Sequence, residues 1–395
     1  MKTSTDIEQR PNFYESAPMA FDRSAGWRYV RDRGDVYEAD GMWYLTSLEA
    51  VRFAQHHPEI FSSAGGYDVG SPIPMVPLMI DPPDHARYRR LLDPMLSPRV
   101  INDLEDDLRR QAAELVEPLV GQGRCDAITD LAELFPTQVL LTLLGLPVAD
   151  RDKFKLWSDA LTSDASKSEA TPAAMEAGAA LLGYLQEHVN VKRGRPNPGS
   201  DAMIDRLLAV ADHEGLTDLD ILGMCFLFVL AALDTTTGAI GFTMYHLARR
   251  PDLRQTVIDD PALINPLVEE ILRLELPAPM VPRRTTREVN VAGVTIPAGA
   301  MVRICMATAN REAASGAAPD EIDLSAAGRA HLSFGGGIHR CLGSHLARRE
   351  LRLIVEEFHA RIPDYELPQG FEPRIAWPTG TYHLESLPLV FKAQG

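Results

Sequence analysis

Apolar positions along most of the chain recur at helical spacing. Asn102 to Leu119 carry an amphipathic pattern closed by Gly121, and Leu131 to Leu146 follow with a more apolar one; both predict structural helices. Helical periodicity returns over Arg151 to Lys192, broken near Ser163-Asp164-Ala165-Ser166-Lys167-Ser168 and ended by the turn-rich Arg193-Gly194-Arg195-Pro196-Asn197-Pro198-Gly199. The most apolar run, Ile221 to Leu233, has 13 residues without a charge. That is short of the ~20 a membrane-spanning helix needs, so a buried central helix is expected. Strand-like stretches are briefer. After a short helix over Ala25 to Gly34, Val36-Tyr37-Glu38-Ala39 and Met42-Trp43-Tyr44-Leu45 flank Asp40-Gly41, which predicts a tight hairpin. Beyond Pro277, Val289 to Gly299 reads as short strands and turns, and Met301 to Met306 as a further strand. From about Ser62 to Asp84 the chain is rich in Gly, Pro and Ser and long for a plain connection, a sign of function or disorder.

Composition adds limits rather than a fold. The 395 residues are 45% hydrophobic and 24% charged, ordinary for a globular protein. Length alone suggests two or three domains. No linker, charge block or repeat marks a boundary, and motifs spread along the chain serve one site, so a single domain over residues 1–395 is expected, with residues 1–24 as an extended N-terminal segment. The net charge of -16 argues against nucleic acid as a partner. Met1 to Glu8 lack the apolar core of a signal peptide, and no early stretch suits a membrane anchor. Cys125, Cys225, Cys305 and Cys341 lie far apart without disulfide spacing, which fits a reducing cytoplasm.

The most distinctive stretch is Phe334-Gly335-Gly336-Gly337-Ile338-His339-Arg340-Cys341-Leu342-Gly343, running into the helical pattern Ser344 to Leu351. Three successive glycines permit backbone conformations and close approaches that side chains forbid, so a flat cofactor can lie against the loop. Its cysteine stands where loop becomes helix, where free N–H groups and the positive helix end favour a thiolate and tune a metal bound to it. The residues leave three readings open: a thiolate metal ligand, an inert buried cysteine, or zinc held by Cys341, His339 and His345, the last short of the four ligands of structural zinc. Asp81-Pro82-Pro83-Asp84 supplies a helix start, after which His85 and Arg89 share one face, either solvated or facing buried carboxylates. Asp234-Thr235-Thr236-Thr237 interrupts the apolar run. A hydroxyl bonded to the i-4 carbonyl beside a carboxylate suits water binding and proton transfer, or simply bends a core helix. Glu270 and Arg273 pair at helical spacing as scaffold.

In this order the motifs resemble those of the cytochrome P-450 family. The loop fills every fixed position of Phe-Gly-x-Gly-x-His-x-Cys-x-Gly, Asp81 to Arg89 matches Asp-Pro-Pro-x-His-x-x-x-Arg, and Ala231-Ala232-Leu233-Asp234-Thr235 stands in place of (Ala/Gly)-Gly-x-(Asp/Glu)-Thr. The likeness runs from about Ala25 to Phe391 and is nearest to a mycobacterial, actinobacterial type sharing the Leu-Asp-Thr and Gly-Gly-Gly-x-His-Arg-Cys strings. The resemblance implies a mainly α fold with a small β-rich part, the family's triangular prism. It implies haem b (iron protoporphyrin IX) with Cys341 as iron ligand. Phe334, Gly335, Gly343 and Ala231 would lie against the cofactor, with His85, Arg89, His339 and Arg283, or its neighbour Arg284, at the propionates. Thr235 would deliver protons to dioxygen and Asp234 would link it to solvent, while Leu230, Leu233, Ala278, Met280 and Val281 would line the substrate pocket. By the same likeness residues 62–84 roof the pocket, the helices of 151–192 flank its access, and Trp377-Pro378-Thr379-Gly380-Thr381-Tyr382 dips towards the substrate. Two departures stand out. Ala232 replaces the usual Gly, and Glu321 to Arg329 do not reproduce the usual Phe-Asp-x-x-Arg, so that Arg329 would join Glu270 and Arg273 only from a shifted position.

The activity so implied is that of a haem-thiolate monooxygenase, which inserts one atom of O2 into a small hydrophobic organic substrate and reduces the other to water; thiolate ligation favours this chemistry. No nicotinamide or flavin fingerprint is present, so electrons would come from a ferredoxin and its reductase, received at Arg340, Arg348, Arg349, Arg352 and Arg90. The alternatives are a haem protein that senses or carries a ligand without turnover and an oxidase of the same family that couples or desaturates its substrate.

Overall fold

The computed structural model describes residues 19, 22–39, 41–66, 73–162, 171–313, 319–325, 330–376 and 381–394. Most of the expected N-terminal segment lies outside these residues. Helix α1 (Arg23–Arg31) starts two residues earlier than expected because the Asp22 carboxylate caps the Ala25 N–H. Strands β1 (Val36–Ala39) and β2 (Met42–Leu45) pair antiparallel from Val36 opposite Leu45 to Ala39 opposite Met42. Gly41 takes φ +72° in their turn, while Asp40 lies outside the described residues. Then come α2 (Leu48–His56), β3 (Phe61–Ser62) and α3 (Asp84–Leu92). The single helix expected over 102–119 is divided into α4 (Pro98–Asp103), α5 (Glu105–Val116) and a 3-10 turn at Glu117–Leu119, where Pro118 lacks the N–H that would continue α geometry.

After β4 (Arg124–Asp126), helix α6 (Leu134–Leu144) stops at Gly145 with φ +73°. Helices α7 (Arg151–Thr162) and α8 (Pro172–Gly194) bracket the expected break, whose residues 163–170 are outside the description. Next are α9 (Met203–Glu214), α10 (Asp218–Arg249), α11 (Pro251–Asp259) and α12 (Ile264–Leu274). Strands β5 (Met280–Thr285), β6 (Val289–Val291), β7 (Val294–Ile296) and β8 (Met301–Cys305) precede α13 (Met306–Ala313), α14 (Ser344–Arg361) and β9 (Pro388–Val390). The main sheet has the order β1-β2-β8-β5-β3, with β2 and β8 parallel. The fold is mainly α with a small β part, as expected.

Helix α10 organises the rest. A reciprocal capping box starts it: the Asp220 N–H donates to Thr217 Oγ1 at 3.1 Å and the Thr217 N–H to Asp220 Oδ2 at 2.8 Å. Being apolar nearly all round, it is buried among α6, α7, α8 and α14. Among the described residues it is the helix long and apolar enough to cross a membrane, but most of that stretch is buried in protein, as befits a core helix. A second hydrophobic cluster, including Leu45, Val51, Phe61 and Val302, packs under the main sheet. Helix α14 lies against α5, α10 and α12, so the loop leading into it is held between the helical core and the sheet.

Candidate active site

The glycine run is required by what packs on it. A Cβ at Gly337, where φ is +63°, would stand 2.0 Å from the Gln55 carbonyl oxygen, and one at Gly336 would stand 2.5 Å from Gln55 Oε1. The end of α2 therefore rests directly on the loop. The loop then closes on itself, the Cys341 N–H donating to the Phe334 carbonyl at 2.7 Å. Cys341 borders a cavity of about 940 Å³, onto which its accessible surface opens within otherwise dense protein. Burial pushes the thiol up. The Gly343 N–H and the guanidinium groups of Arg89, Arg348 and Arg340 pull the other way. This corrects the expectation that the helix end would favour the thiolate: α14 begins only at Ser344, and desolvation is the larger effect.

Helix α10 forms part of the same cavity's wall. Ala231, Ala232 and Thr235 border it, and the Thr235 hydroxyl donates to the Ala231 carbonyl at 2.7 Å. The helix remains continuous here. Leu230, Ala278, Met280 and Val281 line the cavity as expected; Leu233 does not, and packs in the core instead. Asp234 is likewise absent from the lining. It is buried, its Oδ1 accepting from Ser158 Oγ of α7 at 2.9 Å while Oδ2 has no partner. The reason is helical geometry: here the cavity takes the arc of the helix that carries Ala231, Ala232, Thr235 and Thr236, and the rotation of about 100° per residue puts Leu233 and Asp234 on the remaining arc, where Ser158 meets Asp234.

One edge of the cavity is polar. The rings of His85 and His339 lie 4.4 Å apart at 62°, and Nε2 of each is buried without a partner. Burial first, then Arg283, His85 and Arg89, holds His339 down at about 3; burial and Arg89 lower His85 as well. Arg89 donates to the Arg340 carbonyl at 2.7 Å and pairs with Asp93, and Arg283 donates to the Pro282 carbonyl at 2.7 Å. Phe334, Gly335 and Gly343 border the same space. Two cationic side chains and two unpartnered imidazole nitrogens on a mostly apolar cavity fit a flat apolar group bearing carboxylates. Haem answers that description, and Cys341 and Thr235 border the same space. The zinc reading fails, because among the described residues no three His, Cys, Asp or Glu side chains converge as a metal site.

Among the lining residues that were not foreseen are Gln55 of α2 and Glu350 of α14, both buried with unpartnered polar atoms. Their neighbourhoods in sequence carry no sign of it. Arg284 also reaches the cavity, but is exposed and donates to the Gly299 carbonyl at 3.1 Å. Below the site Arg273 grips Glu270 with two bonds of 2.9 Å and donates to the carbonyls of Pro319 and Glu321. Arg329 lies outside the described residues, as do Trp377 to Gly380, while Thr381 borders the cavity.

A family model described as Cytochrome P450 matches residues 168–358. The vitamin D(3) 25-hydroxylase of Pseudonocardia autotrophica is 39% identical over 305 residues, covering 76% of this chain and 74% of that protein. Cytochrome P450 130 of Mycobacterium tuberculosis is 35% identical over 385 residues, covering 93% and 94%. The crystal structure of CYP109E1 from Bacillus megaterium in complex with testosterone superposes with a TM-score of 0.87 at 26% identity, covering 96% of this chain and 100% of that one. With Cys341 in its glycine loop and Thr235 bordering one cavity, and relatives alike over nearly its whole length, this chain belongs to the cytochrome P450 family of oxidoreductases and is an enzyme of the monooxygenase class.

Proposed function

We propose that the chain works as a single haem-thiolate domain in the cytoplasm, inserting one atom of O2 into a small hydrophobic substrate with electrons from a ferredoxin and its reductase. The observation that carries this is the meeting of Cys341, Thr235 and the His85, Arg89, Arg283 and His339 group on one cavity. Haem b bound there would supply the redox-active iron that activates dioxygen, with thiolate ligation pushing electron density towards it.

The chain's own residues divide the remaining work. Cys341 would hold the iron through its sulfur, its backbone N–H fixed by the Phe334 carbonyl and its sulfur approached by the Gly343 N–H. His85, Arg89, Arg283 and His339 would hold the propionates, and Phe334, Gly335, Gly343 and Ala231 would lie against the macrocycle. Thr235 donates to Ala231, which turns its lone pairs outward to accept from water in the cavity. Asp234 and Ser158 form the adjoining buried polar step, with Asp234 Oδ2 able to take and pass a proton. The apolar remainder excludes bulk water and favours hydrophobic substrates. Sterol-like compounds are the first candidates, a choice supported by a relative named for vitamin D(3) and a neighbour crystallised with testosterone.

For the redox partner the arginines sort themselves. Arg348 pairs with Glu269, Arg349 with Glu105, and Arg352 with Glu105 and Glu356. Arg90 and Arg340 are exposed and form no ion pair among the described residues, leaving them for an acidic ferredoxin. The test is an optical titration of the purified haem protein against sterols, terpenes, fatty acids and aromatics. A Soret shift to the high-spin form identifies the substrate class. No haem spectrum at all would overturn the proposal, and a spectrum with no response to any compound would favour a ligand carrier.

A further inference from the structure

We propose that Gln55 is a further cofactor-positioning residue, its side-chain Nε2–H donating to one haem propionate, an inference that rests on the haem reading above. Gln55 is 8% exposed, it borders the cavity, and both its Oε1 and Nε2 are buried without a partner. A buried amide left unsatisfied loses its hydration with nothing in return, so native structures rarely keep one without a ligand to meet it. Flexibility does not relieve the strain. The residue's own carbonyl sits where a Cβ of Gly337 would be, and its Oε1, Cδ and Cβ are the atoms nearest a Cβ position at Gly336, at 2.5, 3.2 and 3.6 Å. The side chain is thus clamped against the loop by its oxygen end, leaving Nε2 as the end for the cavity.

The clamp also fixes whom Gln55 serves. The one-turn helix Gly337–His339 that it touches carries His339, whose Nε2 is likewise buried without a partner, and His85 Nε2 faces the same space. One ligand feature, a carboxylate, satisfies all three and neutralises the nearby Arg283. Gln55 differs from its neighbours in being neutral at every pH, so it would hold the propionate while contributing no charge of its own.

The experiment compares wild-type holoprotein with Gln55→Leu and Gln55→Glu by the rate of haem transfer to excess apomyoglobin, and repeats it after reconstitution with haem dimethyl ester, which lacks the propionate charges. A hydrogen bond to a charged group predicts haem loss about 10-fold faster in Gln55→Leu. Gln55→Glu, which sets two carboxylates together, should lose haem faster still, and with the ester all three proteins should release at similar rates. Equal haem-transfer rates for wild type and Gln55→Leu would overturn the assignment. So would equal acceleration with haem and its ester, which would mean packing alone. Failure of the haem reading itself is separate and visible first, as a wild-type protein with no Soret band.

Discussion

Glu350 offers the sharpest test of the structure's electrostatics. It lies on the cavity-facing stripe of α14 with Leu346 and Ala347, is 3% exposed, and keeps Oε2 without a partner. Burial alone pushes its carboxyl up from the ordinary 4.5 to about 8. The folded protein therefore holds this proton between those values while the unfolded chain has lost it, so Glu350 lowers stability progressively as pH rises from about 4.5 to 8. A gap of about 3.5 pH units corresponds to roughly 5 kcal/mol at most, and water reaching the group reduces it to about half, so about 3 kcal/mol is the working figure. Haem in the cavity would deepen the burial. Glu350→Gln keeps the shape and removes the ionisation. Its guanidinium midpoint, followed by far-UV circular dichroism, should match wild type at pH 5 and exceed it increasingly up to pH 9. A difference that is flat with pH, or a variant less stable at pH 9, would refute the assignment of Glu350 as a neutral buried acid.

Three further outcomes follow from the site. Thr235→Ala should retain haem and substrate-induced Soret shifts but consume more electrons per product and release hydrogen peroxide; unchanged coupling of oxygen uptake to product would remove the proton-delivery role. Arg340→Glu should slow ferredoxin-driven reduction severalfold at low salt with little effect on reduction by dithionite, measured by stopped flow, and equal rates would dismiss this surface. Arg273→Ala removes both guanidinium bonds to buried Glu270 and frees the Pro319 and Glu321 carbonyls, so thermal unfolding should show a loss of about 3 kcal/mol.

What could be read from the sequence was local. The cysteine loop, the His85 and Arg89 pair and the central apolar helix are each written within about ten consecutive residues, and each stands where the pattern placed it. What could not be read is how neighbours in sequence separate around an axis. Asp234 and Thr235 look like one motif, yet the helix turns Thr235 to the cavity and Asp234 to Ser158, and Leu233 faces the core on the same principle. Gln55 and Glu350 were invisible for a different reason. Their significance comes from contacts with segments distant in the chain, and nothing about a lone Gln near the end of α2 or a Glu within α14 marks it as buried.

The arginines show why counting charges along the chain misled as well. Five were expected to make a basic docking surface, but three are spent on carboxylates of α5, α12 and α14, where they bind helices together. Those pairs are largely neutral at a distance, since screening at physiological salt cuts off fields beyond about 8 Å. The same screening answers the objection that a chain of net charge -16 cannot attract an acidic partner. Only charges within about a Debye length of the contact count, and near the cysteine loop the unpaired ones among the described residues are Arg340, directly after His339, and Arg90, directly after Arg89. Electron delivery and haem anchoring would thus draw on the same two segments, 84–92 and 334–343, with alternate residues turned outward to the partner and inward to the cofactor.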